Sequence, residues 1–381
     1  MSELHFNVLV MDVGDHESAW RVTGDEPAGV LALDHYARVA RVAERGLLDS
    51  LFFADYPGLA ELGVEFMPPP HFDPIDLVSA LAPLTEHIGL IATGSTTYSA
   101  PWDLARRFAT LDHLSAGRAG WNIVTTATTA AAGHFGSTPH PDPAARYARA
   151  QEYVDVVQRV WDGWEDDALV GSRELGVWAD RAKLHAPRFH GEHFDVEGIL
   201  PFPRSPQGHP VLAQAGSSAA GMALAARYAE VVFTAQPTIE EATAFRRALH
   251  EQAGRPVHVL PVLAFVLGST EAEAGERRAR LEQLASSEIA ERFAVLPGQL
   301  EFTGTPEQLA ALIEDWHQAG AADGFTLLPT VLPSELETFV DHVVPILQAR
   351  GLYRTEYGGK TLREHYSLER PQNRYVAVAH A

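Results

Sequence analysis

Short apolar runs and longer amphipathic segments alternate along the chain, and this pattern predicts eight β/α units. The runs are rich in Val, Ile, Leu and Phe, as buried parallel strands are, and a segment with helical spacing follows each one. The predicted strands are Phe6–Met11, Ser50–Ala54, Ile88–Thr93, Ala119–Val124, Pro210–Ala215, Val231–Thr234, Val257–Phe265 and Gly324–Leu328. The predicted helices are Leu31–Arg45, Asp73–Leu84, Pro101–Leu114, Ala144–Trp161, Ser218–Arg227, Thr238–Gln252, a helix from Thr270 onward, and Ser334–Arg350.

Eight such units favour a closed barrel over an open, doubly wound sheet. We therefore expect the α/β class and a (β/α)8 TIM barrel with insertions. Residues 162–208 are rich in Gly, Pro, His and aromatic side chains, and we expect this stretch to be the main insertion. Because the sequence has no low-complexity linker and no second core pattern, residues 1–381 are expected to form a single domain.

Charge and composition exclude several classes of partner. The formal net charge of −21 opposes binding to nucleic acid or to an anionic membrane surface, because both require a basic patch. The chain has no cysteine, which excludes disulfides and thiolate nucleophiles or metal ligands. Its first residues do not form a basic and then apolar leader, and no segment has the ~20 apolar residues that span a bilayer. We therefore expect a cytoplasmic protein.

Polar residues stand where several predicted strands end, which is where barrel enzymes place their active sites. Asp55 follows the second strand, Thr93 and Ser95 end the third, residues 122–126 end the fourth, and residues 216–218 follow the fifth. Each of them taken alone is equally consistent with a helix cap or a turn. Their common position at one rim predicts a composite ligand site.

The segment Gly216-Ser217-Ser218 is the clearest candidate for an anion site. Small residues that open a helix leave backbone N–H groups free at the positive end of the helix dipole, where an anion is favoured. The sequence therefore predicts that a phosphate group binds at the start of the fifth helix.

The run Gly117–Thr126 joins a turn, a buried strand and a polar strand end within ten residues. Together with Leu111–Ser115 it resembles the nitrilotriacetate monooxygenase family, the branch of bacterial-luciferase-like flavin monooxygenases that includes dibenzothiophene-sulfone and pristinamycin enzymes. Further matches follow in the family's order along nearly the whole chain, at residues 14–21, 52–55, 203–208, 210–218, 344–352 and 357–364.

This resemblance implies a two-component, FMN-dependent monooxygenase. A separate NAD(P)H:flavin reductase would supply reduced FMN, and the enzyme would use it with O₂ to oxygenate a small organic substrate through a flavin (hydro)peroxide. A homodimer or homotetramer is also implied. The expected cofactor contacts are Asp55 and Thr93 near the isoalloxazine ring, Asn122 along the flavin cleft, and Tyr147, Gly216, Ser217 and Ser218 at the phosphate end.

Catalytic residues are less well marked than cofactor contacts. His16, Trp20 and Arg21 follow the first strand and are candidates to face the substrate, although anchoring of their loop explains them equally well. The apolar loop Leu59–Phe72 is open to two interpretations, substrate contact or packing against a partner subunit. No residue can be named as a general base.

The chain departs from its family at a position just before the fourth predicted helix. Four residues before Tyr147, relatives commonly carry histidine, whereas this chain has Pro143. The side-chain contact from that position is therefore in doubt, and His134 or His140 could occupy the space instead.

Other kinds of chemistry have weaker signals. His185, His190 and His193 lack an adjoining carboxylate pattern, so we expect no metal site. No Gly-x-Ser-x-Gly marks a serine hydrolase around Ser95, and no G-x-G-x-x-G opens a helix after an early strand to bind NADH. Two rival hypotheses remain, a deazaflavin-dependent oxidoreductase on the same barrel and a non-catalytic flavin-binding protein.

Overall fold

The computed structural model describes residues 3–24, 26–58, 68, 72–136, 138–285 and 298–377. Most of the apolar loop at residues 59–72 lies outside these ranges, so both interpretations of that loop stay predictions.

Eight parallel strands close into a barrel, which confirms the predicted TIM-barrel fold. Each strand pairs with the next along the chain, and the eighth returns to pair with the first. The strands are β1 (His5–Leu9), β2 (Ser50–Phe53), β3 (Gly89–Ser95), β4 (Ala119–Val124), β5 (Val211–Ala215), β6 (Val231–Thr234), β7 (His258–Leu267) and β8 (Gly324–Pro329).

Helices pack around the barrel. They are α1 (Leu33–Arg45), α2 (Pro74–Leu81), α3 (Pro101–Leu114), α4 (Pro143–Trp161), α5 (Ala219–Tyr228), α6 (Ile239–Ala253), α7 (Glu271–Leu284) and α8 (Pro306–Gln318). A last helical segment runs as Ser334–Thr338, a π-helical turn Phe339–Val343, and Val344–Ala349. Shorter helical turns are Ala19–Arg21, Pro27–Leu31, Ala82–Leu84, Ala131–His134, Arg181–Lys183, Leu362–His365 and Arg374–Ala377.

Two elements between β7 and β8 escaped the sequence prediction. Leu300–Gly304 is a ninth parallel strand that pairs with the second half of β7, and α8 follows it. The half-exposed, partly polar strand Leu-Glu-Phe-Thr-Gly lacks the continuous apolar character of the barrel strands, which is why its pattern was not recognised.

Apolar side chains fill the barrel and close its N-terminal end. Phe52 and Phe233 meet inside it with ring centroids 4.6 Å apart. Leu362 and Tyr366 from the C-terminal segment belong to the same buried cluster, and the Tyr366 hydroxyl lies 3.2 Å from Ser50 Oγ at the start of β2. A ligand therefore has access to the barrel from the opposite end.

A buried ion pair stabilises that closed end. The fully buried Asp49 accepts a hydrogen bond from Arg354 at 2.5 Å and from the backbone N–H of Phe6 at 2.6 Å. Burial alone raises the pKa of Asp49, but the charges of Arg354 and His5 outweigh it and hold the pKa below its ordinary value. The cluster is structural, since it lies far from the rim where polar strand ends converge.

Residues 162–208 form two antiparallel hairpins outside the barrel. One pairs Leu169–Ser172 with Val177–Ala179, and the other pairs Arg188–His190 with Asp195–Glu197. That this segment is an insertion into a single domain spanning residues 1–381 stays a prediction. Within the ranges described above, no helix is both long enough and apolar enough to span a membrane.

Candidate active site

Thr93 and Asn122 meet at the barrel rim. They are register partners on β3 and β4, and strand alternation places Thr93 on the same inner face as Ile91, which belongs to the buried interior cluster. Asn122 Nδ2 donates to Thr93 Oγ1 at 2.9 Å, and Thr93 Oγ1 donates to the backbone oxygen of Phe53 at 2.8 Å. Asn122 Oδ1 is buried without a hydrogen-bond partner among the described residues. Such an atom is suited to accept a hydrogen bond from a ligand.

The start of α5 forms a second polar group of residues. Ser218 caps the helix, because its Oγ accepts from the backbone N–H of Gly221 at 3.1 Å. The Tyr147 hydroxyl approaches Ser218 Oγ to 3.5 Å, and the Ser217 side chain is exposed. Gly216 has a φ of +135°, a backbone conformation that favours glycine. The first turn of α5 thus presents its N–H groups beside hydroxyls, as a phosphate site requires.

Gln214 belongs to this group and was missed by the sequence analysis. It lies on β5 with 3% of its surface exposed, and its Nε2 donates to the backbone oxygen of Ala215. A Cβ on Gly216 would lie 3.3 Å from Gln214 Nε2, so the two residues are in contact. Gln214 Oε1 is buried and has no partner in the part of the chain that is described. The sequence did contain a signal for this residue, since Gln214 is the one polar side chain in the otherwise apolar strand Val211–Ala215.

Asp55 lies on the β2 side of the rim. No hydrogen bond between described residues joins it to Thr93 or to Asn122. Burial, with the nearby carboxylate of Asp73 in second place, raises the pKa of Asp55 to about 6. A cleft between these strands and the outer helices lies close by, lined in part by Met11, Tyr36, Phe53, Phe72 and Leu77.

The loop after β1 packs towards α7. Trp20 joins an apolar cluster that includes Leu281, and the Arg21 guanidinium donates to the backbone oxygen of Leu284 at 2.7 Å. His16 Nδ1 accepts from the backbone N–H of Ser18 at 3.2 Å. Burial, followed by the positive charge of Arg278, lowers the pKa of His16. These contacts are those of loop anchors, and a role of the three residues towards substrate stays a prediction.

Pro143 is the first residue of α4. Asp142 caps this helix through the backbone N–H of Ala145 at 2.9 Å, so Pro143 serves as a helix-starting residue. Of the two histidines proposed to replace it, His134 lies 2.7 Å from the backbone oxygen of Pro57 through Nδ1. The other, His140, lies 2.6 Å from the Tyr98 hydroxyl through Nδ1.

The histidines of the insertion have other partners. His185 lies 2.7 Å from Glu165 and stacks on Tyr375, and His190 lies 2.8 Å from Asp195. Within the described ranges, no three His, Cys, Asp or Glu side chains are grouped so that they could hold a metal ion.

The residues at the rim fit a flavin mononucleotide. The phosphate end requires N–H groups and hydroxyls, which the start of α5 supplies with Ser218 and Tyr147. The ring end carries hydrogen-bond donors and acceptors, and Asn122 Oδ1 is a buried acceptor without a described partner. Because β4 and β5 are neighbours in the barrel, both groups of residues lie on one side of the rim.

Comparison with known proteins identifies relatives along nearly the whole chain. The luciferase-like monooxygenase family model matches residues 15–323. N-acetyl-S-(2-succino)cysteine monooxygenase of Bacillus subtilis is 38% identical, with 98% of each chain covered. Nitrilotriacetate monooxygenase component A of Aminobacter aminovorans is also 38% identical, over 97% of this chain and 98% of the relative.

A solved structure agrees with these relatives. The crystal structure of a riboflavin lyase, with modified FMN and its substrate riboflavin, is 30% identical and superimposes with a TM-score of 0.89 over 97% of each chain. The resemblance inferred from the sequence is confirmed by these matches. The chain therefore belongs to the luciferase-like monooxygenase family and is a flavin-dependent monooxygenase.

Proposed function

We propose that this chain is the oxygenase component of a two-component system. It binds reduced FMN that a separate NAD(P)H:flavin reductase delivers, and it uses O₂ to oxygenate a small organic substrate. The proposal depends most on one observation. The serine-capped start of α5 and the buried Asn122 Oδ1, which has no partner among the described residues, lie on the neighbouring strands β5 and β4 of one rim. A flavin mononucleotide has a phosphate and a polar ring that match these two features.

Each rim residue has a distinct part in this proposal. Ser217, Ser218 and the Tyr147 hydroxyl would hold the phosphate. Thr93 fixes the Asn122 amide, whose Oδ1 would accept a hydrogen bond from the ring. When bound, reduced FMN would supply the two electrons that activate O₂, one atom of O₂ would enter the substrate and the other would leave as water. The chain would orient the flavin and exclude water from one side of it, because apolar side chains fill the barrel below the rim.

Two observations favour a separate reductase. The sequence lacks a G-x-G-x-x-G after an early strand, the usual signature of a nicotinamide-binding unit. In addition, the relative from Aminobacter aminovorans is named as component A, which indicates that the relative works with another component.

The alternatives are a deazaflavin-dependent oxidoreductase and a non-catalytic flavin-binding protein. Two relatives that share 38% identity over nearly the full length are named monooxygenases, which favours oxygen transfer over hydride transfer. The structural argument for a non-catalytic protein is limited to Pro143, whose role as a helix start is compatible with an active enzyme.

Ser217→Asp tests the phosphate site. The side chain of Ser217 is exposed and Ser218 forms the helix cap, so the substitution adds a carboxylate at the phosphate position without removing the cap. Repulsion between this carboxylate and the phosphate should weaken FMN binding at least about tenfold, as measured by anaerobic titration of reduced FMN.

Thr305→Asp is the matched control, since Thr305 caps α8 on the β7 side of the barrel and aspartate caps equally well. Its FMN affinity should equal that of the wild type. Unchanged binding in Ser217→Asp, or equal losses in both variants, would contradict the proposed phosphate site.

Self-association through the first hairpin is part of the proposal. Five apolar side chains of this hairpin are exposed, and Leu175 and Trp178 expose 72% and 70% of their surface. Two chains of net charge −21 repel each other, so a contact surface between copies should be locally neutral. The hairpin meets this requirement, because Arg173 and Arg181 balance Glu174 and Asp180. We therefore propose a homodimer or homotetramer that uses this hairpin.

A further inference from the structure

Tyr98 and His140 form a side-chain pair above the end of β3. The Tyr98 hydroxyl and His140 Nδ1 are 2.6 Å apart, across 42 residues of sequence. Phe135 stacks on the Tyr98 ring with centroids 4.7 Å apart and planes within 10° of parallel. The tyrosine is thus fixed on its face by stacking and at its hydroxyl by the imidazole.

This pair leaves one imidazole nitrogen in need of a partner. His140 Nε2 is shielded from solvent and makes no hydrogen bond to any described residue. If the Tyr98 hydroxyl donates to Nδ1, the neutral ring carries its proton on Nε2. A buried N–H without an acceptor is costly in free energy, so the arrangement requires an acceptor that is not part of the described chain.

Hydrogen bonds connect the pair to the rim. The backbone N–H of Tyr98 donates to Ser95 Oγ at 3.3 Å, and Ser95 Oγ lies 2.7 Å from Thr126 Oγ1. The Arg146 guanidinium donates to the backbone oxygen of Thr126 at 2.6 Å, which ties the β4 end to α4 one residue before Tyr147. His140 therefore lies on the β3–β4 side of the rim, the side where Asn122 also has a partnerless atom.

We propose that His140 is a flavin-contacting residue whose Nε2–H donates a hydrogen bond to an acceptor oxygen of bound FMN, with Tyr98 as its positioning residue. This role rests on the proposed function, since the ligand is FMN. His134 is a poorer candidate, because its imidazole is already bonded to the backbone oxygen of Pro57 and contacts Gly58.

Two conservative substitutions at His140 separate contact with FMN from contact with Tyr98. A glutamine amide can place its nitrogen near the position of Nε2, whereas an asparagine amide reaches only the position of Nδ1. His140→Gln should keep FMN affinity close to that of the wild type. His140→Asn and His140→Ala should weaken it about three- to tenfold, as expected when one hydrogen bond is lost.

The readout is the dissociation constant of oxidised FMN, measured by quenching of its fluorescence, with the melting temperature of each variant as a check on folding. Tyr98→Phe keeps the stacking on Phe135 and removes the hydroxyl, so it should weaken FMN binding in the same direction but by less than His140→Ala. His134→Asn, at the other histidine of this loop, should leave FMN affinity unchanged.

Full FMN affinity in both His140→Asn and His140→Ala would overturn this role while leaving the proposed function intact. Rescue by asparagine but not by glutamine would also overturn it, because that result would assign His140 a purely structural contact with Tyr98. A wild-type protein that binds neither oxidised nor reduced FMN would remove the proposed function and this role together.

Discussion

Replacing Asp55 with asparagine should stabilise the ligand-free protein at neutral pH. The pKa of Asp55 is raised to about 6 in the folded chain, against an ordinary value of 3.8, mainly by burial and then by the carboxylate of Asp73. A raised pKa means that the folded state binds a proton more tightly than the unfolded state does. The protonated carboxyl group therefore favours folding fully below pH 3.8, and this contribution is lost as the pH rises through about 6.

The size of this effect on stability follows from the rise in the pKa of Asp55. Each pKa unit corresponds to about 1.4 kcal/mol, so the cost of the ionised Asp55 grows by about 2 kcal/mol between pH 4.5 and pH 8. Partial exposure of the side chain screens this charge and makes that value an upper limit. With an unfolding entropy of about 2.1 cal/mol/K per residue, the change corresponds to a shift of about 2–3 °C in Tm for a chain of 381 residues.

The assay is differential scanning calorimetry of the wild type and Asp55→Asn from pH 4.5 to pH 8, without flavin. The Tm difference in favour of Asp55→Asn should widen as the pH rises. The same substitution at the exposed Asp34 controls for the loss of one negative charge from an acidic protein. A Tm difference that stays constant with pH, or that favours the wild type at pH 8, would refute the argument that burial raises this pKa.

Three further substitutions test other parts of the structure. Gly14→Ala should lower the free energy of unfolding by roughly 1–3 kcal/mol, measured by thermal unfolding, because Gly14 has a φ of +128° and a Cβ there would lie 2.4 Å from a backbone oxygen after β8. Gly24→Ala is its control and should leave the stability unchanged, since a Cβ on Gly24 would have no atom within 4 Å. Arg354→Met should cost about 3–5 kcal/mol in denaturant unfolding, since it leaves Asp49 buried without its main charge partner, and the added change Asp49→Asn should recover part of this loss. Trp178→Glu should reduce the mass measured by light scattering, and an unchanged oligomeric mass would exclude the hairpin from the interface.

The sequence was sufficient to predict the barrel because its strands are buried on both sides. The run of residues 259–267 is apolar throughout, and this pattern is visible without a structure. The strand Leu300–Gly304 is half exposed, so its composition resembles that of a loop. The helix after it was detectable, since Thr305 and Gln308 form a capping box that the sequence displays.

The candidate site was predictable only where it depends on strand ends. Thr93 and Asn122 had to converge once β3 and β4 were recognised as neighbours, because parallel strands bring their carboxyl ends to one rim. The contact between Tyr98 and His140 depends instead on the path of two loops that are far apart in sequence. The raised pKa of Asp55 depends on burial by residues from other elements, which no local pattern encodes.

A comparison of three ligands with the wild-type protein shows whether the enzyme uses reduced FMN. Reduced FMN, oxidised FMN and reduced deazaflavin are titrated anaerobically, and O₂ uptake is then measured after each reduced complex is mixed with aerated buffer. We predict that reduced FMN binds most tightly and that its complex consumes O₂. Tighter binding of deazaflavin, or no binding of any flavin at the rim, would contradict the assignment.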